Sequence, residues 1–188
     1  MGDFWVFGYG SLMWRPGFAY TEEAPALLKG LHRSLCVYSH VHRGTPDCPG
    51  LVLGLDRGGS CRGLAFRVDD AHREETLAYL RAREQATMVY RETERSLRLL
   101  DGSHRRVRAL CYVVERSHPQ YAGVLPLDQQ AACVRRGTGK SGENVDYVVN
   151  TLDHLAEMGI TDHRLEALGQ WLAAQRGAAA APKPAPAD

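Results

Sequence analysis

The chain has 188 residues, 44% of them hydrophobic and 24% charged, the proportions of an ordinary globular protein. Its 23 Lys and Arg against 22 Asp and Glu leave a net charge of +1, which argues against a surface built for nucleic-acid phosphates or anionic lipid. No apolar run approaches the roughly 20 residues that span a bilayer, and a chain of this length buries enough surface to fold as one domain, or at most a tight pair, without metal or disulfide.

The N-terminal segment has no basic region followed by a long apolar one, so no secretory signal is expected. Gly2 does not open a myristoylation motif, because position 6 is Val6. The five cysteines, Cys36, Cys48, Cys61, Cys111 and Cys133, are odd in number and contain no C-x-x-C pair. They read as reduced thiols, several of them filling strands, and a cytoplasmic location follows as the expectation.

In chain order, Phe4–Tyr9 reads as a strand ending in a glycine-rich turn. Arg33–Tyr38, Leu51–Leu55, Cys61–Val68, Tyr90–Leu99 and Arg106–Glu115 are further strands, with Gly58-Gly59 as a breaker and Asp101-Gly102 as a hairpin turn. Asp70–Arg83 reads as a helix with Leu77 and Leu80 on one face. Pro126 opens a second helix that carries Leu127, Ala131 and Val134 and stops at Gly137. Glu143–Met158 has an apolar stripe of Val145, Val148, Val149, Leu152, Leu155 and Ala156, with Ser141 as cap and Gly159 as stop. Asp162 opens a last helix with Leu165, Leu168, Trp171 and Leu172 inward. Residues 1–176 form the expected domain, and the Ala/Pro-rich 177–188 reads as a disordered tail. Strands followed by helices predict an α+β fold with a mostly antiparallel or mixed sheet that can curl into a barrel.

Several familiar motifs are excluded by spacing. Gly8-Tyr9-Gly10 is followed by Met13 where a dinucleotide fingerprint requires glycine, and Gly139-Lys140-Ser141 has Val134 where a P-loop requires glycine. Ser11 lacks the flanking glycines of a nucleophile elbow. The eight His are dispersed, and even His40 and His42, two apart, lack further ligands, so no metal is expected. What remains is a turn at 8–12 that reads either as a glycine-rich β-turn or as a backbone cradle for a polar group. Glu84 lies seven residues after Leu77 and four after Leu80, on the inward stripe of its helix. Such a carboxylate either pairs with a buried arginine such as Arg43 or Arg91, or works on a ligand with a raised pKa.

Phe7-Gly8-Tyr9-Gly10-Ser11-Leu12 with Trp14-Arg15-Pro16, then Gly30 and Arg33, Ser39, His42-Arg43-Gly44-Thr45, Pro49-Gly50, Gly58-Gly59, Cys61, Gly63, Arg83-Glu84, Tyr90, Tyr121, Gly123, Gly139, Gly142, Asn144, Tyr147, Gly159-Ile160, Asp162 and Leu165 form an ordered series. The series resembles the ChaC family of glutathione-specific γ-glutamylcyclotransferases over residues 4–172. Met88-Val89, where many relatives carry two glycines, and Arg62, where many carry an aromatic residue, depart from the pattern.

The resemblance implies a γ-glutamylcyclotransferase-like mixed β-barrel with flanking α-helices. It implies a lyase that converts glutathione to 5-oxoproline and Cys-Gly without metal or organic cofactor, and a small-molecule substrate rather than nucleic acid or membrane. The family's catalytic glutamate maps onto Glu84 as general acid/base. Phe7, Gly8, Tyr9, Gly10, Ser11 and Leu12 would hold the γ-glutamyl group, with Ser39, Arg43 and Tyr147 as further binding residues and Arg43 facing the glycyl carboxylate. Two alternatives stay open: the same cyclisation on other γ-glutamyl compounds, and a catalytically silent module that binds γ-glutamyl ligands for regulation.

Overall fold

The structure is a computed structural model that describes residues 4–179. It contains β1 (Phe4–Gly8), β2 (Glu22–Ser39), β3 (Gly50–Val68), α1 (Arg73–Glu84), β4 (Tyr90–Leu99), β5 (Arg106–Val114), α2 (Leu127–Arg136), β6 (Thr138–Gly139), β7 (Gly142–Glu143), α3 (Asn144–Glu157) and α4 (His163–Ala179). The chain divides into two compact units, one of Met1–Ser39 with Leu51–Leu125, the other of His40–Gly50 with Pro126–Asp188.

The first unit is a closed barrel of strand order β1-β3-β2-β4-β5. It is mixed: β1 runs antiparallel to β3 and parallel to β5, where Trp5 faces Ala109 and Val6 faces Leu110. The expected α+β barrel with helices is therefore the observed architecture. The β4–β5 hairpin turns at Asp101-Gly102 as its sequence demands, with Gly102 at φ 85°. Leu80 of α1 is buried with Phe4, Val6, Leu12, Val68, Leu110 and Tyr112, and Leu77 packs on that cluster. Truncating a leucine buried in this way costs about 2–5 kcal/mol, so the 77/80 stripe is what fixes α1 on the barrel.

Two strands are longer than the pattern predicted. β2 begins at Glu22, because Ala24, Ala26 and Leu28 alternate inward between exposed or half-buried neighbours; small alanines, charge and Pro25 had hidden a period of two. The 51–55 and 61–68 segments are one strand. Gly58-Gly59 takes φ 101° and 64° without ending it, a local twist of the kind glycine permits.

In the second unit, α2 ends at Gly137, and α3 buries Val145, Val148, Thr151 and Leu155. Val149, expected on that stripe, is exposed. Ser141 does not cap α3: its hydroxyl lies 2.9 Å from His42 Nδ1, and Glu143 stands at the cap without a side-chain bond. His42 is thus tied to a turn rather than lying on a strand face. Asp162 does open α4, its carboxylate accepting from the Leu165 amide at 3.3 Å. The helix runs through residues 177–179, the first three of the expected tail, and 180–188 lie outside the described residues. No helix among the described residues is long and apolar enough to cross a membrane.

All five cysteines are free, and Cys36, Cys61 and Cys111 are buried. Burial pushes the Cys36 and Cys111 thiols up to about 12, which leaves them un-ionised and unreactive at neutral pH.

Candidate active site

The turn that leaves β1 is built by close approach. Gly8 ends the strand, and Ser11–Met13 forms a single 3-10 turn in which the Met13 amide donates to Gly10 O at 2.9 Å. A side chain at position 63 of β3 would collide with the Gly8 carbonyl and the Phe7 ring, so Gly63 is what lets β3 lie flush beneath the turn. Phe7, Tyr9 and Leu12 are buried, and Ser11 is half-buried. The Arg15 amide donates to Ser11 O at 2.8 Å and closes the turn on its far side.

Arg33 holds the turn from below. It occupies the inward position between Leu31 and Leu35 in β2 and is 7% exposed. Its Nε donates to Tyr9 O at 2.5 Å and its Nη2 to Arg62 O at 2.7 Å. A buried guanidinium bonded to two carbonyls locks the turn to β3. Its signal was legible, since an arginine in phase with Leu31 and Leu35 must face the barrel interior.

Glu84 is the last residue of α1, its side chain 17% exposed. Burial raises the pKa of its carboxyl, and the Arg83 guanidinium partly opposes that shift. The cation beside it is its own neighbour, with Arg83 Nε 3.2 Å from Glu84 Oε1. The paired alternative therefore differs in its arginine: the cation is Arg83, where the sequence had offered Arg43 or Arg91. Arg91 lies 3.8 Å from Glu115, and Arg43 Nη1 donates to Glu143 O at 3.0 Å. Glu74 and Glu75 are exposed at the start of α1, where acidic side chains suit the helix dipole.

Glu84 and the 8–12 turn are linked by Arg83, whose Nη2 donates to Ser11 Oγ at 2.9 Å. Leu80 and Leu12 share one apolar cluster, so α1 rests on the turn. Tyr90, which opens β4, donates its hydroxyl to Leu53 O at 2.6 Å and fixes the strand entering beside this helix. Ser39 is buried at the end of β2.

Arg43 and Tyr147 are both in the second unit, where they come together. The Arg43 guanidinium lies 5.5 Å from the centre of the Tyr147 ring, and its Nη1 donates to Glu143 O at 3.0 Å. The Tyr147 ring is half-buried beneath it. A guanidinium oriented by an aromatic face and a carbonyl is preorganised for a planar anion.

Among the described residues no group of three His, Cys, Asp or Glu side chains could hold a metal ion.

Known proteins are similar to this chain over most of its length. The ChaC-like protein family matches residues 4–175. A glutathione-specific γ-glutamylcyclotransferase of Escherichia coli (strain K12) is 35% identical over 167 residues, 89% of this chain and 71% of that protein. Glutathione-specific γ-glutamylcyclotransferase 1 of Mus musculus is 33% identical over 168 residues, 87% of this chain and 75% of that protein. A crystal structure of a γ-glutamyl cyclotransferase specific to glutathione from yeast aligns with a TM-score of 0.81 at 26% identity, over 93% of this chain and 100% of that one. The family match spans the barrel, the turn after β1, Glu84 and α3, and the chain belongs to the ChaC-like proteins.

Proposed function

We propose that this protein is a glutathione-specific γ-glutamylcyclotransferase, a lyase that converts glutathione to 5-oxoproline and Cys-Gly, with Glu84 as the general acid/base. The single observation that carries the residue assignment is the Glu84 carboxylate, only 17% exposed and raised in pKa by burial, which its Arg83 neighbour links to the turn at Ser11. The family likeness supports the reaction.

The chemistry is intramolecular. The α-amine of the γ-glutamyl group attacks its own γ-carbonyl carbon, a five-membered ring closes, and the bond to the cysteinyl nitrogen breaks. One proton leaves the amine and one arrives on the departing nitrogen, so no water is consumed. Folding the γ-glutamyl chain into an attack-ready shape is worth about 7–11 kcal/mol in favourable cases. The amine starts as an ammonium with an ordinary pKa of about 8, so a base must take its proton. A carboxylate whose proton affinity is raised by burial is better matched to that transfer than a solvated one, and the same group then protonates the leaving nitrogen.

Phe7 to Leu12 hold the γ-glutamyl group, their backbone N–H groups meeting its oxygens and the charge that develops on the carbonyl. Ser39 is a further hydrogen-bonding side chain of the first unit. In the second unit the Arg43 guanidinium, seated on Tyr147, offers a site for a carboxylate of the glycyl type.

The test is direct. Incubation with glutathione releases 5-oxoproline and Cys-Gly in equal amounts, and Glu84→Gln abolishes the release while circular dichroism stays native. A Glu84→Gln protein that turns over at the wild-type rate removes Glu84 from the reaction. A panel of γ-glutamyl amino acids and γ-glutamylamines consumed as fast as glutathione removes the glutathione preference.

A further inference from the structure

We infer that Arg83 is the positioning residue of the site: its guanidinium fastens the Glu84 carboxylate to the 11–17 loop, so that the proton-transfer group and the substrate turn move as one body. This rests on the reading of Glu84 as the acid/base group.

The geometry is that of a three-way clamp. Nε faces Glu84 Oε1 at 3.2 Å. Nη2 donates to Ser11 Oγ at 2.9 Å. Nη1 donates to the Arg15 carbonyl at 2.7 Å and to the Tyr79 hydroxyl at 2.9 Å, with the Pro16 carbonyl at 3.4 Å. All three nitrogens of one planar group are therefore committed, each in a different direction. The Arg83 side chain is 23% exposed, so these bonds are only partly shared with water. A lysine places one point charge and cannot span carboxylate, hydroxyl and carbonyl at once.

Tyr79 is the second half of the device. It sits one helical turn before Arg83 on the same face of α1, its ring 6.0 Å from the guanidinium carbon. The loop passes so close to the Tyr79 hydroxyl that a side chain at Gly17 would occupy the same space, and Gly17 takes φ 75° there. Phe18 meets the Tyr79 ring edge-on at 6.4 Å between centroids. The loop is thus pinned to α1 at Ser11, Arg15, Gly17 and Phe18 by two residues of one helical turn.

The clamp outlasts the carboxylate's charge. The Arg83–Glu84 contact is an ion pair only while Glu84 is ionised, and proton uptake from the substrate amine weakens it. The remaining Arg83 bonds, to two carbonyls and two hydroxyls, do not titrate with Glu84, so the loop keeps its place while the proton is in transit. Two other titratable groups face this end of α1 from the barrel, and Arg81 pairs with the first of them, Glu92 of β4, at 2.7 Å. Tyr112 of β5, directly opposite Glu92 in the ladder, is buried and stays un-ionised, its pKa raised by burial and by Glu92 and Glu84.

Arg83→Gln and Arg83→Lys are compared with the wild type in kcat, KM, the pH profile of kcat/KM and amide hydrogen exchange. In Arg83→Gln, kcat falls about 10²-fold, the scale of a misplaced reacting group. Its acid limb moves to higher pH, because the cation that opposed the burial shift of Glu84 is gone, and amides 11–17 exchange faster. In Arg83→Lys the acid limb stays near the wild type, while kcat falls and the loop still exchanges faster, since charge is kept and the fork is lost. Wild-type exchange at 11–17 in Arg83→Gln overturns the clamp, as does full recovery of kcat and loop protection by lysine. If the Gln variant does not fold, the Lys variant alone decides on loop exchange. Glu84→Gln, run alongside, separates the two failures: turnover retained there overturns the acid/base reading, whereas an inactive Glu84→Gln beside an unaltered Arg83→Gln overturns only the clamp.

Discussion

The barrel unit holds one buried carboxylate and one half-buried one, and treats them in opposite ways. Asp56 in β3 is 1% exposed and fully engaged: it accepts from Arg116 Nε at 2.7 Å, the Tyr121 hydroxyl at 2.7 Å and the Arg57 amide at 2.8 Å. Burial pushes its pKa up, but these bonds outweigh burial, and the carboxyl ends below its ordinary value. Glu84 at the end of α1 has one ion pair, to an arginine whose other bonds go elsewhere, and burial wins. A carboxylate that has been given every donor it can accept is structural. One that is largely screened from water and left short of donors keeps a proton affinity that chemistry can use. The difference lies in the number of donors supplied to each group and not in burial alone.

The largest expected effect lies at Glu84. Replacing it with glutamine lowers 5-oxoproline release by about 10²–10⁴-fold, the range for loss of a general acid/base. The thermal midpoint at pH 7 does not fall, because the neutral amide removes a charge that burial disfavours. Asp56→Ala shows the reverse pattern. It strands the Tyr121 hydroxyl and the Arg57 amide and lowers stability on the order of 3 kcal/mol, measured by urea titration, while turnover per folded molecule is kept.

The two groups also give stability opposite slopes with pH. Asp56, lowered in the folded state, contributes stability that is present above its ordinary pKa and is lost as pH falls through its lowered value. Glu84, raised in the folded state, costs stability as pH rises from its ordinary pKa through its raised one, and Glu84→Gln flattens that part of the curve. Chemical denaturation between pH 3 and pH 8 reads both, and equal slopes in wild type and Glu84→Gln above the ordinary carboxylate range would contradict the contrast. The smallest effect belongs to a surface pair with equally good geometry. Arg108 and Glu94 lie 2.7 Å apart with side chains 76% and 56% exposed, and a double-mutant cycle there returns no more than about 1 kcal/mol.

Much of this was legible in the residues. The 77/80/84 spacing placed Glu84 on the inward stripe of α1, and the hairpin, the four helices and the glycine-rich turn followed from periodicity and turn chemistry. The first half of β2 did not, because its inward residues are alanines and its outward ones include Glu23 and Pro25. Arg83 escaped because an arginine in the last turn of a helix is ordinarily a solvated partner of the helix dipole. Only the fold brings Ser11 and Arg15 to it, across a sequence separation no local pattern records. Ser141 had the right chemistry for a cap, but His42, about a hundred residues earlier, claimed its hydroxyl.

The split into two units has a consequence for how this protein is inherited. The link between β2 and β3, together with the first residue of β3, forms the segment His40–Gly50 of the C-terminal unit, and the chain passes from one unit to the other at three places: after Ser39, after Gly50 and after Leu125. Within that unit Arg43 bonds to Glu143 and the Ser141 amide bonds to His42 O. No single break in the gene yields two complete halves. A recombination event that exchanged everything after Leu125 would leave 40–50 facing a foreign partner, so the two units are expected to change together and to be passed on as one cassette.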